Sequence, residues 1–276
     1  MYRAFYGMTS NPFRKDIPVS QLFESDDLRA FRSRMEYFKQ TLGLAVVYGR
    51  PGLGKTTALR AFLDRLNPQL YAVVYRPLSA LTVMEFYRNL CHGLGLEPGF
   101  KKVDMFHRLQ EHIQSLSCQK RQTPVFVLDE AQFFSQAILN ELRMLFNFHM
   151  DSKDYAMVVL CGQNHFIGQL SLHGNEPLRQ RVTVHYELTG LTDTEVPVYI
   201  QALLKHAGLE EPLFTPDALQ ALANLCGGSP RLLNGLVEKA LILGFQHKTR
   251  SLDAETIRQA HDACALFVGS GGGVSA

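Results

Sequence analysis

The stretch VVYGRPGLGKTT at Val46–Thr57 runs from a short apolar segment through a glycine-rich turn into a helix that continues as ALRAFLDRL. From Gly49 to Thr56 it satisfies the phosphate-loop pattern GxxxxGK[ST], with the strand before and the helix after that the pattern requires. Glycines let backbone N–H groups turn inward around a phosphate, because a Cβ would block both the dihedrals and the approach. The start of the following helix adds its partial positive charge. Gly49, Arg50, Pro51, Gly52, Leu53, Gly54, Lys55, Thr56 and Thr57 are therefore the expected contacts to a nucleoside triphosphate. Lys55 is expected to reach the β- and γ-phosphates and Thr56 to hold Mg²⁺.

The rest of the composition fits a globular protein with such a site. The chain has 276 residues, 46% apolar and 20% charged, with a net charge of +2. That length holds one large or two smaller domains, and the charge is too mild to argue for a nucleic acid from the whole chain. Cys91, Cys118, Cys161, Cys226 and Cys264 are odd in number and form no CxxC pair, so neither a disulfide framework nor a zinc site is indicated. Without an apolar run of about 18 residues or a signal peptide, the expected location is the cytoplasm, with no membrane contact.

Outward from the loop, strands alternate with helices. Residues 1–25 place Tyr2, Phe5, Tyr6, Phe13 and Phe23 among Gly7, Pro12 and Pro18, a pattern of turns. Leu28, Phe31, Met35 and Phe38 recur at helical spacing. Strands are expected at 44–48, 71–76, 125–129, 157–161 and 182–188, with helices at 56–66, 82–92, 103–116 and 138–148. Strands separated by helices argue for a parallel sheet covered on both faces. After Gly190 only helices are expected, at 192–206, 215–225, 230–244 and 253–265, with Thr192, Thr215 and Asp253 as N-caps. The expected division is an α/β nucleotide-binding domain over 1–190 that includes the N-terminal aromatic segment, a small all-helical domain over 191–267, and a flexible tail over 268–276.

The run VFVLDE at 125–130 ends a buried strand with two carboxylates, on the sheet edge where nucleotides bind. Asp129 suits the Mg²⁺ shell and Glu130 suits polarising the attacking water; triphosphate hydrolysis asks mainly for positioning and charge stabilisation. The letters DEAQ at 129–132 also resemble a helicase box, but a helicase needs a second sheet domain that the helices after Gly190 do not supply.

Further along stand Gln163-Asn164 after the fourth strand, the run PLRQR at 177–181, and GGSPR at 227–231 opening a helix. In this order the set resembles the AAA+ ATPases. The resemblance implies a five-stranded P-loop fold with a helical lid, binding ATP and Mg²⁺ with Thr56 and Asp129 at the metal. It implies Glu130 as the catalytic carboxylate, Gln163 or alternatively Asn164 as sensor 1, Arg181 as a finger completing a neighbouring subunit's site, with Arg179 also open, and Arg231 as the lid sensor. A finger acting in trans implies a homo-oligomer, ring or helical filament, with active sites at subunit interfaces.

Together with the opening MYRAFYGMTSNPF and the runs VVLCGQ, EPLRQRV and GGSPRLLN, these motifs resemble the module shared by general secretion pathway protein A (ExeA-like) and the transposition helper ATPases (TniB- and TnsC-like), over about residues 1–265. The secretion proteins look longer, with a membrane span and a peptidoglycan-binding region, which favours the transposition group. That group implies ATP-dependent assembly on duplex DNA, recruitment of a transposase, and disassembly by hydrolysis. DNA contacts are then expected around Ser79–Thr82 and at Lys101 and Lys102, where repetition around an assembly makes a few lysines effective. The alternatives are an ATPase of a secretion or envelope system and a nucleotide-dependent scaffold without DNA.

Overall fold

The computed structural model describes residues 2–14, 17–77 and 82–264. Of the expected DNA-contact segment, residues 79–81 lie outside this range, as does the tail 268–276. In chain order the elements are α1 (Tyr2–Tyr6), α2 (Asp26–Thr41), β1 (Gly43–Tyr48), α3 (Lys55–Leu63), β2 (Tyr71–Pro77), α4 (Val83–Gly93), α5 (Lys102–Cys118), β3 (Thr123–Asp129), α6 (Gln136–Leu145), β4 (Met157–Gly162), α7 (Asn164–Ser171), α8 (Glu176–Arg179), β5 (Val182–Glu187), α9 (Glu195–His206), α10 (Pro216–Cys226), α11 (Pro230–Gln246) and α12 (Ala254–Cys264). They fall into two compact units.

The first unit, Asp27–Pro51 with Lys55–Thr189, holds the sheet. Its strands pair in the order β2-β3-β4-β1-β5, all parallel. Successive side chains of a strand point to opposite faces, and both faces are buried. Val46, Phe126, Leu128 and Leu160 pack with Phe86, Leu109 and Leu142 from α4, α5 and α6. The alternate residues Val47, Val127 and Val159 pack with Phe31 and Phe38 of α2 and Leu59 of α3. A Phe126→Ala cavity in this interior would cost about 3–5 kcal/mol. From β1 the chain crosses to the far-edge strand β2, whereas from β4 it crosses past β1 to β5. Neighbouring strands whose connections leave in opposite directions open a crevice at their carboxyl ends, and the phosphate loop lies there.

The second unit comprises Met1–Asp26, Gly52–Gly54 and Gly190–Ala276, so far as these are described. Tyr6, Met8 and Phe13 are buried with Leu203, Leu222 and Leu233. The N-terminal segment therefore groups with the helices after Gly190 rather than with the sheet, a correction to the domain division expected above. Its hydrogen bonds go the same way: Tyr2 Oη and Asn11 Nδ2 donate to Glu238, at 3.1 and 2.8 Å. Thr215 and Ser229 accept the capping N–H groups of Ala218 and Leu232, and Asp253 accepts from Thr256 at 2.9 Å. Thr192 is not a cap. Its N–H and hydroxyl donate to Glu195 at 3.0 and 3.1 Å, and α9 begins only at Glu195. Residues 2–6, read as turn, form a short helix, and α7 and α8 had no counterpart in the sequence reading.

Candidate nucleotide site

The loop after β1 has the backbone that phosphate binding requires. A Cβ on Gly49 would lie 2.6 Å from the Leu188 carbonyl oxygen, so only glycine fits there. Gly52 and Gly54 have φ of 84° and 97°, in the region that favours glycine. Lys55, the first residue of α3, donates from Nζ to the carbonyls of Gly49 at 2.8 Å and Arg50 at 3.0 Å. Its ammonium is thus drawn back over the loop that would cradle a phosphate.

Strand register brings the acidic end of β3 to this loop. Asp129 is only 5% exposed, and a buried carboxylate needs hydrogen bonds to stay charged. Its Oδ2 accepts from the Thr56 hydroxyl at 3.3 Å and from the Tyr75 hydroxyl at 2.8 Å, and its Oδ1 accepts from the Glu130 N–H at 2.9 Å. Burial first, then the bond to Asp129, pushes the Tyr75 phenol well above its ordinary range, so it stays a donor. The Cys161 thiol on β4 is likewise pushed up, mainly by burial and secondarily by Asp129. It is an inert neighbour rather than a nucleophile.

Glu130 follows in a left-handed conformation, φ 59° and ψ 35°, with its side chain exposed. Non-glycine residues hold that conformation at a cost of about 1–3 kcal/mol and cluster at functional sites. Gln132, in the 3₁₀ turn Ala131–Phe133, donates from Nε2 to Glu130 Oε2 at 2.5 Å and accepts from the Gln163 N–H at 3.1 Å.

The donor set fits Mg²⁺-ATP. A hydroxyl and a carboxylate converge beside a lysine-bearing loop, and a hard cation held by that pair would take its remaining ligands from water and phosphate oxygens. Among the described residues no group of three or more His, Cys, Asp or Glu could hold a metal.

The other expected residues are placed less uniformly. Gln163 is half-buried at the start of α7 with its N–H on Gln132, while Asn164 donates to Glu187 at 3.1 Å. Arg181 donates from its guanidinium to the carbonyls of Arg143 and Phe146, at 2.8 and 2.6 Å, and stands 3.9 Å from Asp154. It closes the C-terminal end of α6. Arg179 is exposed and donates to the Ser171 carbonyl at 3.2 Å. In the second unit the Arg231 N–H and the Ser229 hydroxyl donate to the Gly52 carbonyl, at 3.4 and 3.1 Å. Thr82 forms a capping box with Glu85 at the start of α4. Lys102 is paired with Glu141 at 2.8 Å, and Lys101 is exposed at the N-cap of α5.

Two members of the site were missed. Tyr75 gave no signal because its partner lies 54 residues away and they meet only through the β2–β3 register. In the sequence Gln132 stands out only as the last letter of DEAQ.

Comparison with known proteins agrees with this geometry. An AAA domain family model matches residues 39–170. General secretion pathway protein A of Aeromonas hydrophila is 33% identical over 251 residues, 89% of this chain and 45% of that protein. The ATP-dependent target DNA activator B of Escherichia phage Mu is 27% identical over 123 residues, 44% of this chain and 37% of that protein. The chain thus spans less than half the length of either relative. Among solved structures, Cdc6p from Pyrobaculum aerophilum superposes with a TM-score of 0.70 at 16% identity, covering 93% of this chain and 71% of that one. The Thermotoga maritima RuvB branch migration motor gives 0.59 at 18%, covering 93% and 74%. The last two show the fold. With the phosphate loop, the 2-3-4-1-5 strand order and the Asp129-Glu130 strand end already in place, the chain belongs to the AAA+ P-loop NTPases, in the ExeA- and TniB-like group.

Proposed function

We propose that this protein hydrolyses ATP with Mg²⁺ and couples that turnover to its own assembly. The observation that carries the reading is Asp129 held between Thr56 and Tyr75, with Glu130 beside it in a left-handed turn. Lys55 exchanges its loop carbonyls for phosphate oxygens, and the exposed Glu130 carboxylate takes the proton of the attacking water on its free oxygen. Bound Mg²⁺ would offset charge on the β- and γ-phosphates. Gln163 at the end of β4, with Asn164 as the alternative, senses the γ-phosphate, and Arg231 acts on the same subunit's nucleotide.

The site is completed by a second copy in a ring or helical filament. Of the two arginines, Arg179 is favoured as the finger in trans, because its guanidinium is exposed whereas that of Arg181 is engaged with α6. We place the protein in the cytoplasm; no described helix is long and apolar enough to cross a membrane.

The assembly template is duplex DNA and the recruited partner a transposase. Support comes from the motif resemblance, from the phage Mu relative whose name includes target DNA, and from the exposed Lys101 and Lys102 at the start of α5. A second reading, an ATPase of a secretion system, is favoured by the match to general secretion pathway protein A over 89% of the chain. Phosphate release and particle size, measured at low salt with and without duplex DNA, decide between them. Stimulation and growth of the particle support the DNA reading, and indifference to DNA at low salt removes it.

A further inference from the structure

The amide of Gln132 bridges two parts of the site that the sequence separates. Its orientation follows from chemistry: the Gln163 N–H can only donate, so Oε1 faces it at 3.1 Å and the NH₂ is left for Glu130 Oε2 at 2.5 Å. The side chain is 8% exposed, and the neighbouring strand leaves room for it. A Cβ on Gly162 would stand 3.2 Å from Gln132 Oε1. The backbone of Glu130 is pinned at both ends, its N–H on Asp129 and its carbonyl on the Phe133 N–H at 3.0 Å. What the backbone leaves undetermined is where the exposed carboxylate points.

We propose that Gln132 is a positioning residue for hydrolysis, which fixes Glu130 Oε2 and leaves Oε1 to take the proton of the attacking water, and which ties that carboxylate to the end of β4 at Gln163. The inference rests on the hydrolytic reading of Glu130. The tie gives the γ-phosphate end of the site a mechanical path to the base, since a shift at the β4 terminus moves the Gln163 N–H and with it the amide. A buried, doubly bonded amide holds a rotamer that an exposed glutamate would otherwise share with several others.

The test is Gln132→Glu, which keeps the shape, removes the donor and sets a second carboxylate beside Glu130. A fluorescent ATP analogue should bind with wild-type affinity while kcat for phosphate release falls about 100-fold. Gln132→Ala, which removes the donor without adding a charge, should lower kcat similarly at unchanged affinity. It serves as the reading if Gln132→Glu does not fold. Were Gln132 only a strut between the turn and β4, the alanine variant would melt earlier yet keep wild-type kcat per folded protomer, and that result overturns the inference. Wild-type protein that binds ATP but releases no phosphate overturns the hydrolytic reading and this inference with it. Active wild type with unaltered variants overturns this inference alone.

Discussion

Replacing Arg181 by alanine removes a guanidinium that is only 16% exposed and that satisfies two carbonyls at the end of α6. The last four carbonyls of a helix have no partner within it, and a cation there also meets the negative end of the dipole. Gln110 serves the Leu145 carbonyl at 3.1 Å, while Arg181 serves those of Arg143 and Phe146. Each charge-assisted bond is worth about 1.5–3 kcal/mol, and because both share one side chain they do not add fully. A net loss of about 3 kcal/mol is expected, which lowers the melting temperature by roughly 6–12 °C in a unit of this size. Thermal and urea unfolding followed by circular dichroism measures it. Arg181→Lys, which keeps the charge but not the fork, should recover part of the loss. Arg179→Ala, losing one exposed bond, should stay within about 0.5 kcal/mol of wild type yet lose assembly-dependent turnover. An unchanged melting temperature for Arg181→Ala would refute this reasoning, and loss of assembly-dependent turnover in that variant would return the finger role to Arg181.

Other outcomes follow from the same contacts. Lys55→Ala should weaken ATP binding at least about 100-fold by titration calorimetry, since a desolvated cation at the phosphates is lost. Gly49→Ala places a Cβ 2.6 Å from the Leu188 carbonyl oxygen and should abolish nucleotide binding in a protein that still folds, as read by circular dichroism alongside calorimetry. Tyr75→Phe deletes one donor from Asp129 while leaving the ring, and should shift the Mg²⁺ concentration for half-maximal ATP binding by roughly 3- to 10-fold.

What the sequence made legible was what periodicity and local chemistry encode. The phosphate loop, the five strands, the acidic strand end and the helical character after Gly190 all rest on contiguous patterns. Short helices did not show: α1 spans Tyr2–Tyr6 and α8 only Glu176–Arg179, too few residues for a 3.6-residue period to stand out. The aromatic N-terminus carried no sign of which unit it would join, since Phe13 suits any apolar partner. The Arg181 contacts were hidden for another reason. An arginine before a strand reads alike whether it turns outward or folds back onto a helix 35 residues earlier. Tyr75 and Gln132 belong to the site only through register and turn geometry, which spacing alone does not specify.

The account turns on whether Glu130 activates water at a site that Lys55, Thr56 and Asp129 build. Phosphate release by wild type and Glu130→Gln, with ATP affinity measured on the same samples, tests this most directly. The account predicts Mg²⁺-dependent release by the wild type and, in the variant, wild-type affinity with release slowed at least about 100-fold. Equal turnover by the two proteins would contradict it.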